Sequence, residues 1–291
     1  MNASTKNTSN IGLVILLLLC CIAFSDAVAQ KKGLYSFEFG VQTYTYRKSM
    51  PLGVAATLDT IKAEGFTELE TGVPKGMTAQ EYKKLCDDRG LKVVAIGGGY
   101  EQLVKDIKPT IEEAKVLGAK YVMCAWIPHK VRGGFTLEEA QKAVADFNAI
   151  GKGLADAGLT FCYHIHGYEF QPYQNGTLFD YIVQNTDPKY VSYELDVMWA
   201  FFGGADPTAL LEKYGTRFKL LHLKDLKKGV KGDLTGGTSQ DNDVILGTGQ
   251  LDLRGIIAKA KSLGIKHYFI EDESSRVNYQ VPRSIAYLKS L

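Results

Sequence analysis

The sequence predicts an α/β protein, a single (β/α)8 TIM barrel over residues 30–291 behind an N-terminal leader. Three observations lead there. Short apolar, β-branched or aromatic runs alternate with longer segments of helical period, the alternation repeats eight times, and the length is close to the about 250 residues usual for such a barrel. The strand candidates are FEFGVQTYT (37–45), FTELE (66–70), LKVVAIG (91–97), KYVMCAW (120–126), LTFCYHI (159–165), YVSYELD (190–196), FKLLHLK (218–224) and HYFIED (267–272). Helices are expected at 52–64, 78–89, 101–118, 136–157, 176–185, 206–214 and 251–264, with 281–290 closing the chain. Glycines in EGF, RGL, LGAK, AGLT and LGIK fall where a helix gives way to the loop before the next strand.

A doubly wound open sheet is the competing arrangement, but it needs fewer strands and a Gly-rich phosphate turn after the first one. The first strand here runs into TYTYRKSM, and Gly97–Gly99 lacks the GxGxxG spacing, so that triplet reads as a loop. Residues 223–250 form a long polar, Gly-rich connection, which in a compact domain is expected to be a binding loop or lid.

Residues 1–29 read as a secretory signal peptide: a polar start with Lys6, the apolar run IGLVILLLLCCIAF, and small residues at Ala27 and Ala29. The expected product is exported, periplasmic or secreted. The apolar run is too short for a comfortable membrane span, so no stable insertion is expected after cleavage. Cys20 and Cys21 leave a lipid anchor open, but Leu19 and Cys20 precede them where a small residue is required. The remaining Cys86, Cys124 and Cys162 form no CxxC and no even set, which speaks for small buried hydrophobes rather than a disulfide framework. A net charge of +2 with no sustained basic run gives no footprint for nucleic acid.

A barrel of this class carries its site at the C-terminal ends of its strands. Polar residues collect there: Glu70 on the second strand, Trp126 and His129 on the fourth, His164 and His166 on the fifth, Asp196 on the sixth, His222 with Lys224 on the seventh, Glu271 on the eighth. Alone, Asp196 reads as a helix cap and either strand histidine as a hydrogen-bonded core residue. Together, His, Asp, His and Glu at the same end of four consecutive strands converge near the axis, where isolated charges are costly without a partner. A divalent cation is the economical partner, and two imidazoles with two carboxylates suit Mn, Fe, Co, Ni or Zn better than Mg or Ca. Polarising a carbonyl acidifies the neighbouring C–H, so a base can form an enediolate; isomerisation, epimerisation and β-elimination all start this way.

GFTELE, YHIHGYEF, YELDVMWAFFGGADP, LLHLKD, LGTGQLDLRGI and FIEDE, in that order, make the chain similar to the xylose isomerase-like TIM barrel superfamily, which includes sugar isomerases and epimerases, inosose dehydratase and endonuclease IV. The resemblance implies metal ligands at Asp196, His222 and Glu271. It also implies a fourth on the fifth strand, where a glutamate is usual and His164 stands here, with Glu169 in the next loop as the alternative. It further implies that His166 and Glu70 face substrate and that Lys224 lies beside the metal as a base or oxyanion partner. Trp126, His129 and Trp199 are expected to contact the substrate, and Phe201 and Phe202 are open between that role and packing.

The activity so implied is a metal-dependent sugar isomerase or epimerase acting on a small carbohydrate. Such enzymes often use paired glutamates on the fifth and eighth strands, and His164 departs from that pair. A lyase, dehydratase or hydratase acting on a keto-sugar, keto-glycoside or cyclitol is therefore the second expectation. A non-catalytic sugar-binding barrel is the third. The sequence carries no signal for an oligomeric state.

Overall fold

The computed structural model of the protein describes Met1 and residues 33–130 and 134–291. Met1 aside, the leader expected over 1–29 lies outside the described residues. Leu34–Leu291 folds as one compact unit.

Within it, β1 (Gly40–Gln42), β2 (Glu68–Thr71), β3 (Lys92–Gly97), β4 (Tyr121–Cys124), β5 (Thr160–His164), β8 (Val191–Asp196), β9 (Phe218–Leu223) and β10 (His267–Ile270) pair in parallel, each with the next. β1 pairs with β10 through Gly40↔Phe269 and Val41↔Ile270, which closes the barrel. A small antiparallel hairpin, β6 (Pro172–Tyr173) with β7 (Gly176–Thr177), decorates the loop after β5. The expected closed eight-stranded barrel is thus present.

Eight of the helices are α1 (Val54–Ala63), α2 (Ala79–Asp87), α3 (Tyr100–Lys105), α4 (Lys108–Leu117), α5 (Leu137–Asp156), α6 (Leu178–Asn185), α7 (Val197–Phe202) and α8 (Pro207–Tyr214). α9 (Leu253–Ser262) and α10 (Val277–Ser290) complete those among the described residues. Thr78 with Glu81, Thr136 with Glu139 and Thr177 with Asp180 form capping boxes that satisfy the first orphan N–H groups of α2, α5 and α6. The structure differs from expectation in four places. The first strand, expected over 37–45, is only Gly40–Gln42, and Thr43–Tyr46 turn in a 3-10 helix. The segment 101–118 is two helices: Asp106 is extended, and Pro109, with no N–H to donate backwards, fits only the first turn of a new helix. α7 follows Asp196 directly; its VMWAFF sequence is apolar all round and shows no amphipathic period. α10 starts four residues ahead of the expected 281 and accommodates Pro282.

Side chains alternate along each strand, so the residues facing the barrel axis fall into layers. Val94, Ala95, Cys162, Leu220 and Phe269 form a separate apolar cluster below the mouth. Gly40 belongs against it, since a Cβ there would lie 2.6 Å from the Phe269 ring. One alternation further along, β5, β9 and the end of β10 present His164, His222 and Glu271. At the opposite end His267 Nδ1 lies 2.8 Å from Glu68 Oε2. Cys86, Cys124 and Cys162 are buried free thiols. Among the described residues no helix is long and apolar enough to cross a membrane.

One carboxylate, Asp225, ties the start of the long connection after β9 to its end. Asp225 accepts hydrogen bonds from the main-chain N–H groups of Leu226 (2.9 Å), Gly247 (3.0 Å), Gly249 (2.9 Å) and Leu251 (3.2 Å). Leu226 and Asp243 bridge across the loop. Asp225→Ala would leave these donors unsatisfied, a loss of about 1–3 kcal/mol for a buried group. The expected outcome is faster tryptic cleavage at Lys227, Lys228 and Lys231, with far-UV circular dichroism unchanged.

Candidate functional site

Five strands send polar side chains to one buried cluster at the barrel mouth. His164, Asp196 and His222 each offer one donor atom, and the three lie within 4.8 Å of one another. His164 Nε2 is 3.9 Å and His222 Nδ1 3.8 Å from Asp196 Oδ2, while His222 Nδ1 is 3.3 Å from Glu271 Oε2. Ligands about 2.1 Å from a tetrahedral ion stand about 3.4 Å apart, so these spacings need only a small contraction to hold one. Asp196 Oδ2 and His222 Nδ1 are both buried without a hydrogen-bond partner. Orphaned polar atoms of this kind call for an explanation, and the chemistry of this donor set fits a divalent cation.

Asp196 performs both of the roles considered for it. Its Oδ1 caps α7 by accepting from Trp199 N at 2.8 Å, which leaves Oδ2 aimed at the histidines. Behind them lies a carboxylate floor. His222 Nε2 is 3.0 Å from Glu70 Oε1, which also accepts from Gln42 Nε2 at 2.5 Å. His164 Nδ1 is 3.0 Å from Glu194 Oε2. Glu70, Glu194 and His222 also offer three donor atoms in mutual reach.

The electrostatics follow from crowding out of water. Burial lifts the Asp196 carboxyl to about 6, against the pull of Lys224 and His222. Burial, then the neighbouring His222 and His166, pushes His164 well below the usual imidazole range. Burial works against charge on His222, but Glu194 and Glu70 more than offset it and hold a proton there. Burial likewise opposes ionised Glu271, yet Lys224 and His222 keep it charged.

Lys224 is 1% exposed and its Nζ lies 3.0 Å from Glu271, 2.6 Å from Glu273 and 3.8 Å from Asp243. Those carboxylates overcome its burial and raise its pKa. Of the two roles expected for Lys224, this surrounding fits the cationic partner and disfavours the base.

Above the cluster opens a cavity of about 640 Å³. His164, His166, Trp199, His222, Glu271 and Glu273 line its depth, and the binding loop expected at 223–250 reaches it through Gly236, Gly237, Thr238 and Gln240. His166 stacks on Trp199 at 5.4 Å, and its Nδ1 has no partner. Burial brings the His166 pKa down to about 4, so the ring is neutral.

Three expected residues are placed elsewhere. Glu169 turns to Tyr163 Oη and to His166 N (3.0 Å), a pairing fixed by the tight loop at Gly167, and lines no part of the cavity. The structure therefore gives the fifth-strand position beside Asp196 to His164 and not to Glu169. Trp126 and His129 stack on each other at 4.7 Å and pack with Tyr168, outside the cavity lining. Phe202 packs edge-on against Trp199, and Phe201 lines an outer groove.

Residues not anticipated are Gln42, Glu194, Asp243 and Glu273. A period-two reading would have found two of them, since Glu194 stands two before Asp196 and Glu273 two after Glu271.

A closed parallel barrel with a buried imidazole and carboxylate donor set at its C-terminal mouth defines a class of barrel proteins with axial, metal-type sites. A profile described as "Xylose isomerase-like TIM barrel" matches residues 58–291, and the chain belongs to that family. It is 28% identical over 184 residues to an inosose dehydratase of Bacillus anthracis, an alignment covering 57% of this chain and 61% of that protein's length. Among solved structures, a sugar phosphate isomerase/epimerase from Parabacteroides distasonis superposes with a TM-score of 0.73 at 26% identity, covering 91% of this chain and 97% of that one. An IolI protein with a bound zinc atom shares the fold, with a TM-score of 0.68 at 15% identity over 87% of this chain and 95% of that one.

Glu169→Gln tests the placement of that residue. It weakens the Tyr163 and His166 hydrogen bonds, so chemical unfolding should show a loss of about 1–3 kcal/mol. Zinc affinity, read by competition with a chromophoric chelator, should stay at the wild-type value.

Proposed function

We propose that the protein is a divalent-metal-dependent enzyme that removes the proton next to a carbonyl of a sugar, keto-sugar or cyclitol. One observation carries this reading: His164 Nε2, Asp196 Oδ2 and His222 Nδ1 converge at the mouth with Glu271 beside them, and the Asp196 and His222 atoms have no hydrogen-bond partner. His164, Asp196, His222 and Glu271 would hold the cation; Mn, Zn, Co, Fe or Ni suits this set better than Mg. When bound, such an ion supplies a Lewis acid for a carbonyl oxygen. The zinc of the IolI structure supports a metal in a barrel of this shape.

The chain's own groups supply the rest. Lys224, kept protonated by its carboxylates, puts positive charge next to the place where an oxyanion develops. Neutral His166, lining the cavity with Nδ1 free, is the group placed to accept the proton. Trp199 offers a flat apolar face for the C–H surface of a sugar ring. The expected export would have the enzyme meet free sugars or glycosides outside the cytoplasm.

Returning the proton gives isomerisation or epimerisation, which the likeness to the isomerase/epimerase structure supports. Losing a substituent from the next carbon gives elimination, which the likeness to the inosose dehydratases supports. The presence of one candidate base at the cavity, His166, supports elimination. Exchange across one carbon calls for two bases on opposite faces, and the fifth strand offers His164, already bonded to Glu194, where a second free carboxylate would be needed. Elimination needs one base.

Asp196→Ala and His222→Ala should lose bound metal by elemental analysis while remaining folded, and full metal content in both would refute the site. Incubation of keto-sugars, keto-glycosides and cyclitols in heavy water separates the outcomes. Elimination yields a product lighter by one water or by a released aglycone, whereas epimerisation yields deuterium in a product of unchanged composition.

A further inference from the structure

We infer that Glu194 is a positioning residue of the metal site: it holds the hydrogen of His164 on Nδ1, so that the bare Nε2 faces the point shared with Asp196 and His222. The inference rests on the metal reading above, but its argument is geometric. β8 places Glu194 and Asp196 two residues apart, and so on the same face, and the register sets His164 beside Glu194 and Asp196 beside His222. Glu194 is wholly buried, and Oε2 lies 3.0 Å from His164 Nδ1. Its Oε1 lies 3.4 Å from His222 Nε2 and has no hydrogen-bond partner of its own. The carboxylate therefore spans the backs of both rings.

An imidazole has two nitrogens, and a neutral ring can ligate only through the one without hydrogen. Ionised, Glu194 accepts hydrogen bonds and donates none, so the His164 nitrogen facing it carries the hydrogen; burial and Glu70 push the Glu194 carboxyl well above its usual range, and the wild-type spectrum below reads which form is present. The other nitrogen, 3.9 Å from Asp196 Oδ2, is left with its lone pair directed at the candidate ion position. Without Glu194 nothing on the described surface of the ring selects this tautomer, because no other acceptor is recorded at Nδ1. Of the neighbouring carboxylate Glu70, Oε1 is taken by His222 and Gln42, and Oε2 has no hydrogen-bond partner. Glu194 would thus act on an ion it does not touch, through the ring it orients, an arrangement whose removal costs about 10–100-fold in metal affinity.

Two variants and two readouts test this. Glu194→Met keeps side-chain volume and removes the acceptor without leaving a buried charge; Glu194→Gln keeps an oxygen that accepts from Nδ1 while its amide turns to Glu70. Long-range nitrogen–proton correlation spectra of metal-free protein labelled in histidine should show His164 with hydrogen on Nδ1 in the wild type and in Glu194→Gln. Glu194→Met should show the Nε2–H form or a mixture. Zinc competition with a chelator should give affinity about 10–100-fold weaker for Glu194→Met and largely restored for Glu194→Gln. A wild-type His164 with hydrogen on Nε2, or a folded Glu194→Met with wild-type zinc affinity, would overturn the inference. Absence of zinc binding by the wild type would overturn the metal reading instead, and the metal-free spectra would still decide the role of Glu194.

Discussion

The arrangement depends on one constraint: ionisable groups gathered in the dry end of a barrel must neutralise one another. Glu70, Glu194, Asp196, His164, His222 and Lys224 are each at most 2% exposed. None could stay charged alone in such surroundings at tolerable cost. Every one has a partner of opposite or complementary character within 4 Å, yet one atom each of Asp196, His222, Glu70 and Glu194 is left without a hydrogen bond. The remainder is shared between the cavity end, at Asp196 and His222, and the floor, at Glu70 and Glu194.

That distribution divides the cluster into tiers. Glu70, with Gln42, and Glu194 back the two histidines from below, while Glu273 and Asp243 fix Lys224 from the loop side. The tiers come from different chain regions, yet strand register brings them to one height. Where a barrel is closed, the register between neighbouring strands is shared all round, so side chains at matching positions cannot drift apart.

The sequence made the barrel legible because its repeat of strand and helix is physical, and His164, Asp196, His222 and Glu271 could be read from their positions at strand ends. The rest was hidden for identifiable reasons. Glu169 looked available because sequence shows distance along the chain and not the turn at Gly167 that sends its side chain toward Tyr163. Trp126 and His129 follow a strand end but pack on the buried Tyr168, a direction that no periodicity encodes once the strand has stopped. Glu194 was overlooked as an interior strand residue, although its spacing from Asp196 already placed the two on one face. α7 escaped notice because a helix buried on every side has no polar face to mark its period.

The double engagement of Asp196 separates folding from chemistry in an unusual way. Its Oδ1 is occupied by the first turn of α7, so the act of forming that helix points Oδ2 into the cavity. The rotational freedom that a free carboxylate would surrender on meeting a ligand has already been surrendered to secondary structure. The site is therefore stiff at this corner before anything binds, and a cation held there would meet a carboxylate oxygen whose position is set by a helix.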